Sequence, residues 1–278
     1  MKVLEFLARL IFCNRAQEGL IFSLFGATVK DGNIVLEDPN MLIPMFLIVL
    51  AWMIVSYLLG SINFSILISK LAFNDDIRKY GSQNAGSTNM NRVYGSKIGA
   101  LTLVGDVGKA VVAVLIARML LGDNAAALCG FCCMLGHCFP IYYHFKGGKG
   151  VATAGGVILA LEPLSGLLTL LVFVIVTFGM HYVSLGSIMA GLFYPIMLNS
   201  VSRILTGGAP TALMSISAIA MAILLVARHH ANIKRLLSGT ENKFQFKKKK
   251  TEEEAPEAPV APRSLHRIDE GDENEDEE

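Results

Sequence analysis

Six stretches of the chain stay apolar for about the twenty residues that a helix needs to cross the hydrocarbon core of a bilayer: 45–69, 98–121, 125–143, 164–182, 185–205 and 211–227. A backbone in lipid must satisfy its own hydrogen bonds, which a helix does within the segment itself. The composition agrees, with 53% hydrophobic and only 17% charged residues. The expected fold is therefore an all-α polytopic membrane protein.

Charge sets the orientation. Loops rich in Lys and Arg belong on the cytoplasmic side, which assigns 70–97, 146–149 and 228 onward to that side. Between Val151 and Ser202 the only Asp, Glu, Lys or Arg is Glu162, and Glu162-Pro163 reads as a turn. The short Gly-rich run 150–161 must then go out and its successor come back. About seven transmembrane helices follow, with the N-terminus outside and the C-terminus cytoplasmic.

Three regions result. Residues 44–243 form the membrane domain. Residues 244–278 are a basic then acidic tail, because 1–250 carry 22 Lys+Arg against 11 Asp+Glu and 251–278 carry 2 against 12. The tail has too little apolar surface to offset the entropy of ordering it and is expected to be disordered. Residues 1–43 begin as a weak amphipathic helix and continue as the polar loop KDGNIVLEDPN. An extracytoplasmic extension and an over-long start, with Met41 or Met45 the first residue, both fit. Four of the five cysteines lie in one apolar stretch with no second CxxC pair, so they read as small packing residues, with no disulfide framework and no metal site.

Three polar segments share the inner side. The first, GSQNAGSTNMNR (81–92), offers small and amide side chains, exposed backbone N–H groups and Arg92 as a bidentate phosphate donor. The second, GHCFPIYYHFKGGKGVAT (136–153), has Gly147, Gly148 and Gly150, which let a backbone approach a ligand closely, beside Lys146 and Lys149. Its spacing is not that of a Walker A loop, so an ATP site is not implied. In the third, RHHANIKRLLSGTEN (228–242), Arg228, His229, Asn232 and Arg235 fall on one face of a helix. Asp106 and Lys109, inside a span, are costly in lipid unless paired, and at i, i+3 they pair with each other. His181 and Glu162 lie at span ends and read as solvated or packed.

In order and spacing these segments resemble the three signature motifs of bacterial PlsY-type glycerol-3-phosphate acyltransferases. The runs 60–70, 106–109 and 182–187 also resemble family segments, and the likeness covers about 45–241. It implies a seven-helix enzyme in the bacterial cytoplasmic membrane, active on the cytoplasmic face, that passes a fatty acyl group from acyl-phosphate to the 1-hydroxyl of glycerol 3-phosphate. The resemblance places catalytic roles on Ser82, Arg92, Lys149, His229 and Asn232. It places substrate and phosphate binding on Asn84, Thr88, Asn89, His137, Lys146, Gly147, Gly148, Ser184 and Glu241. The first motif departs from the usual Ser-Gly-Asn-Pro-Gly-Ala-Thr-Asn at Gln83, Ala85 and Ser87.

The residue types suit that chemistry. Acyl-phosphate is a mixed anhydride whose leaving group is a stable anion, so an enzyme must chiefly position two phosphates and stabilise an oxyanion. No His is followed five positions later by Asp, so the His-x4-Asp dyad of acyl-CoA or acyl-carrier-protein dependent acyltransferases is absent. His229 serves either as proton acceptor for the glycerol hydroxyl or only as an orienting group. No cofactor, metal or nucleic acid is expected; the partners are the two substrates and membrane lipid, and the catalytic unit is a monomer. The alternative class is a small polytopic transporter of an anionic solute. It is disfavoured because the polar residues gather on one face and no internal repeat is evident.

Overall fold

The computed structural model describes residues 20, 27–30, 33–36 and 39–243. The expected amphipathic start, at 1–12, and the tail, 244–278, lie outside the described residues. Two short strands, β1 (Ala27–Lys30) and β2 (Asn33–Leu36), pair antiparallel with Ala27 opposite Leu36. The reading of 30–40 as a polar loop is thus corrected: Asn33–Leu36 is a strand, and Asp31-Gly32 between two β-rich runs was the hairpin signal.

From residue 42 the described chain is helical. The helices are α1 (Leu42–Ser61), α2 (Phe64–Phe73), α3 (Ser87–Tyr94), α4 (Ser96–Leu121), α5 (Asp123–Cys138), α6 (Val151–Leu161), α7 (Pro163–Met180), α8 (Val183–Thr206), α9 (Ala212–Arg228) and α10 (His230–Leu237). Their ends follow local chemistry. Asn63 breaks the expected single helix over 45–69 because its Oδ1 accepts from the Ile66 N–H at 3.2 Å and starts α2 afresh. Gly122, at φ 81°, separates α4 from α5, and Pro163 opens α7, where a missing N–H costs nothing. Thr211 caps α9 through the Met214 N–H at 3.2 Å.

Among the described residues five helices are long and apolar enough to cross a membrane, and a sixth span is formed if α9 and α10, bent by 58°, are taken together. At eleven residues α6 is about 16 Å long, short of a bilayer core by itself. The chain belongs to the polytopic membrane class, with a short helix where the sequence pattern placed a seventh crossing.

α5 is the centre of the bundle. Ala126, Cys129, Cys133 and Met134 are buried against Ala110, Ala113 and Val114 of α4, Val157 of α6, and Ala218 and Met221 of α9. The four cysteines of α5 are free and serve as small packing residues. α1 and α5 cross at glycines: a Cβ on Gly60 would stand 2.0 Å from the Cys133 carbonyl oxygen, and one on Gly136 would stand 2.1 Å from that of Tyr57. Large aliphatic side chains such as Leu47, Ile54, Val104, Ile175 and Ile223 face outward, the pattern of a body solvated by lipid.

The two ends of the bundle differ. At one end Arg118 Nε lies 2.6 Å from Asp123 Oδ1, and Arg118 Nη1 donates to the Ala160 carbonyl at 3.4 Å. Asn124 and Thr211 are hydrogen-bonded there as well. The other end gathers all three polar segments. α6 starts at that end beside Lys149 and finishes next to Arg118, so it and α7 run out and back across the bundle.

Candidate active site

Asn89 organises the first segment. It is buried, its Oδ1 accepts from the Ser82 N–H at 2.9 Å, and its Nδ2 donates to the carbonyls of Tyr80 at 3.0 Å and Ile77 at 3.4 Å. Its amide is committed to the loop, which places it behind the binding surface expected of it. The loop then presents Ser82, Thr88 and Arg92 to the outside, the last two one turn apart on α3. Gln83 sits at φ 57°, the left-handed region that favours glycine, at the position where the family pattern has one.

The second segment leaves α5 at Cys138 and returns at Gly150, whose φ of 82° starts α6. The glycines between them are required by the protein's own packing. A Cβ on Gly147 would lie 2.1 Å from the His137 carbonyl oxygen, and one on Gly148 would lie 2.3 Å from His137 Nε2 and 2.4 Å from the Ala85 carbonyl oxygen. Close backbone approach was legible in the sequence, but what approaches includes the protein itself. Arg78 pins the same loop, donating through Nη1 to the carbonyls of Tyr143 at 3.2 Å and Lys146 at 2.9 Å while Asp76 holds its fork at 2.6 Å. Burial would raise the Asp76 carboxyl, but its hydrogen bond from Arg78 is the larger effect and holds it below the ordinary carboxylate range. Sequence reading counted Arg78 only among inner-side charges; its signal was Asp76 two residues before it.

The third segment closes on the second. Arg228 donates through Nε to Gly148 O at 3.2 Å and through Nη2 to Gly147 O at 3.3 Å, with its guanidinium 5.1 Å from the Phe139 ring centre. The helix bends at His229, so Arg228 and Asn232 do not share one continuous helical face as expected. The bend lets Arg228 reach back to the glycine loop while Asn232 meets Lys149. Lys149 Nζ donates to Asn232 Oδ1 at 2.6 Å, Asn232 Nδ2 to Glu241 Oε1 at 2.7 Å, and Arg235 Nε to Glu241 Oε2 at 2.7 Å. Burial alone would raise the Glu241 carboxyl, but its hydrogen bonds from Asn232 and Arg235 outweigh it and hold it below the ordinary carboxylate range, with the Ser184 hydroxyl close by. Lys149 is pushed down to about 8, first by burial and further by Arg235, Arg228 and Arg92, with Glu241 opposing.

His229 is buried, and its Nδ1 lies 2.8 Å from the Leu225 carbonyl oxygen. A carbonyl only accepts, so Nδ1 carries the proton and Nε2 is left as an acceptor. His137 lies deeper than expected of a substrate contact: its Nδ1 is 3.0 Å from Lys109 Nζ, which itself pairs with Asp106 at 2.8 Å as its i, i+3 spacing predicted. The side chains of Arg92 and Lys146 make no hydrogen bond or ion pair among the described residues, and Asn84 is half-exposed in the first polar segment.

A lipid-facing helical bundle with one end crowded by cations, amides and open backbone defines a polytopic integral membrane protein with a single polar pole. Residues 50–239 match the family model for glycerol-3-phosphate acyltransferase, and the chain belongs to that family. It is 43% identical over 195 residues to the glycerol-3-phosphate acyltransferase of Syntrophotalea carbinolica, covering 69% of this chain and 96% of the relative. With the Burkholderia lata protein of the same name it shares 44% over 197 residues, 70% of this chain and 91% of the relative. The fold is similar to the crystal structure of PlsY (YgiH), an integral membrane glycerol 3-phosphate acyltransferase, in its glycerol 3-phosphate form. That likeness has TM-score 0.65 and 38% identity over 71% of this chain and 96% of PlsY.

Proposed function

We propose that the protein transfers a fatty acyl group from acyl-phosphate to the 1-hydroxyl of glycerol 3-phosphate, releasing inorganic phosphate and leaving lysophosphatidic acid in the membrane. The observation that carries this reading is the Lys149–Asn232–Glu241 chain, which joins the second and third polar segments beside the unpaired Arg92. Two anionic substrates need surplus positive charge at one place, and here it stands where a lipid tail can lie alongside.

In this reading Arg92, Ser82, Thr88 and Asn84 hold one phosphate at the start of α3, while Lys149 neutralises charge on the transferring group. Gly147 and Gly148 shape the loop, and exposed Lys146 draws phosphates in. Asn232, Ser184 and Glu241 orient glycerol 3-phosphate. The hydroxyl attacks the acyl carbonyl, the bond to the phosphate oxygen breaks, and phosphate departs with the electron pair. His229 Nε2 accepts the hydrogen bond of the attacking hydroxyl, a geometry suited to orienting it and to taking its proton.

We further assign the catalytic unit to the membrane domain 44–243, acting as a monomer with its polar pole on the cytoplasmic side of a bacterial cell membrane. Seven crossings with the N-terminus outside are supported by the out-and-back path of α6 and α7, which returns Ser184 to Glu241, and by the Lys/Arg-rich segments at that pole. A transporter would need polar groups along the bundle, and the largest fully buried side chains of its centre are mostly apolar.

The test offers purified protein glycerol 3-phosphate with palmitoyl-phosphate, palmitoyl-CoA or palmitoyl-carrier protein in turn. Lysophosphatidic acid forms only with palmitoyl-phosphate; turnover with palmitoyl-CoA and none with palmitoyl-phosphate would overturn the donor assignment.

A further inference from the structure

A buried polar knot lies between α1, α4 and α5, one layer beneath the candidate site. Lys109 Nζ is 2.8 Å from Asp106 Oδ1, 3.0 Å from Gly60 O, 2.7 Å from Ile62 O and 3.0 Å from His137 Nδ1. Asp106 and His137 are almost wholly buried, and the Lys109 side chain is 5% exposed. A lysine there is expensive, and the pair with Asp106 explains how it is tolerated but not what it is for. Gly60 and Ile62 flank the break between α1 and α2, so the ammonium also holds the carbonyls that the break frees.

The contact with His137 carries a further consequence. An ammonium has only donors, so a ring nitrogen 3.0 Å away must face it with a lone pair. Nδ1 is also 3.4 Å from Asp106 Oδ1, but the ammonium is the nearer group, and an N–H on Nδ1 would point at a cation. The ring proton therefore sits on Nε2. That atom stands beside Gly148 and the Ala85 carbonyl oxygen, each within 2.4 Å of the point a Gly148 Cβ would occupy. Ala85 belongs to the first polar loop and Gly148 to the second. Asn63 Nδ2, from the same α1–α2 break, reaches the Ala85 carbonyl at 3.4 Å.

We propose that Lys109 is a positioning residue: its ammonium, held by Asp106, fixes His137 with its proton on Nε2, and the ring so held stands beside both the Ala85 carbonyl of the first loop and the Gly148 turn of the second, setting the spacing of the two phosphate-handling loops. The proposal rests on the acyl-transfer reading for its catalytic consequence, but the position of the proton is independent of it.

The experiment is ¹⁵N NMR of histidine-labelled protein in nanodiscs, with His137 assigned by its loss in His137→Gln, alongside steady-state kinetics. In the native protein Nε2 is protonated and Nδ1 is not. In Lys109→Met, which keeps the chain length and removes the charge, Asp106 Oδ1 becomes the nearest partner and the proton moves to Nδ1. In the kinetics Lys109→Met loses at least thirtyfold in kcat/KM. His137→Gln, whose amide N–H takes the place of Nε2–H, keeps at least ten times more activity than His137→Asn, whose amide replaces Nδ1. A proton on Nδ1 in the native protein overturns the proposal, as does an unchanged tautomer in Lys109→Met or equal activity in the Gln and Asn variants. If no acyl transfer is measurable with any donor, the spectra of the native protein still decide the tautomer while the function falls separately.

Discussion

The two ends of the bundle use charge in opposite ways. At the far end Arg118 is matched to Asp123 at 2.6 Å and caps a helix carbonyl, and Asn124 is matched to Thr211. At the polar pole Arg92, Lys146, Lys149, Arg228 and Arg235 share three segments, 80–93, 135–154 and 225–243, in which Glu241 is the only acidic residue. Matched charges at a membrane boundary serve packing. An unmatched set repels itself and lowers stability, so its retention is explained by ligands that bring negative charge.

The largest effect should separate these ends. Arg92→Ala and Lys149→Ala each remove a cation that the proposed reading places on the reacting phosphates and should cost about 2–4 kcal/mol of transition-state stabilisation, roughly thirtyfold to a thousandfold in kcat/KM. Arg92 is exposed, and among the described residues its side chain makes no hydrogen bond or ion pair, so the thermal midpoint of its variant stays near that of the parent. Arg118→Leu removes the cation paired with the buried Asp123 and should lower stability by about 1–3 kcal/mol with kcat nearly kept at permissive temperature. An inactive but fully stable Arg118→Leu protein would erase the distinction.

How far the sequence carried this contrast depended on range. Long apolar runs announced the spans, and the inner-side Lys and Arg announced which segments meet, because both signals are local composition. Asn63 was hidden inside one such run, since a single capping amide barely changes the average over a span. The bend at His229 was hidden because the basic residues around it keep helical spacing on either side. Asn89 and Gly147 to Gly148 were singled out for a ligand, yet their contacts are to Ser82, His137 and Ala85. Residue type reveals that a backbone must come close or an amide must be satisfied; only the fold says to what. The Asp106–Lys109 pair was legible from its spacing, whereas the approach of His137 from another helix was not.

A smaller effect concerns pH. Lys149 is pushed down to about 8, mainly by burial, so its charge is lost as pH rises through 8, well before an ordinary lysine would deprotonate. kcat/KM should be flat from pH 6.5 to 7.5 and fall about tenfold by pH 9. Bound phosphate favours the ammonium, so the corresponding fall in kcat lies at higher pH. Glu241→Gln removes the anion that supports the charge and should move the fall in kcat/KM to lower pH. A profile level to pH 10 would mean that Lys149 does not act as a cation on the free enzyme.

The smallest effect divides the polar pole itself. Lys146 and Lys149 are three residues apart, but Lys149 is anchored on Asn232 at 2.6 Å whereas the Lys146 side chain is exposed and its backbone alone is held, the carbonyl by Arg78 at 2.9 Å and the N–H by the Tyr143 carbonyl at 3.2 Å. A free ammonium at the rim acts through the long-range field, which raises the local concentration of anionic substrate and is screened over about 10 Å at 0.1 M salt. Lys146→Gln should therefore raise KM for glycerol 3-phosphate about threefold at low ionic strength, leave kcat unchanged, and become indistinguishable from the parent near 0.5 M salt. Lys149→Ala should keep its defect at every salt concentration, because its contact is direct and partly buried. A hundredfold loss in Lys146→Gln that persists at high salt would show that this side chain swings in to grip a phosphate, and the boundary between steering and catalytic charge would have to be drawn beyond Lys146.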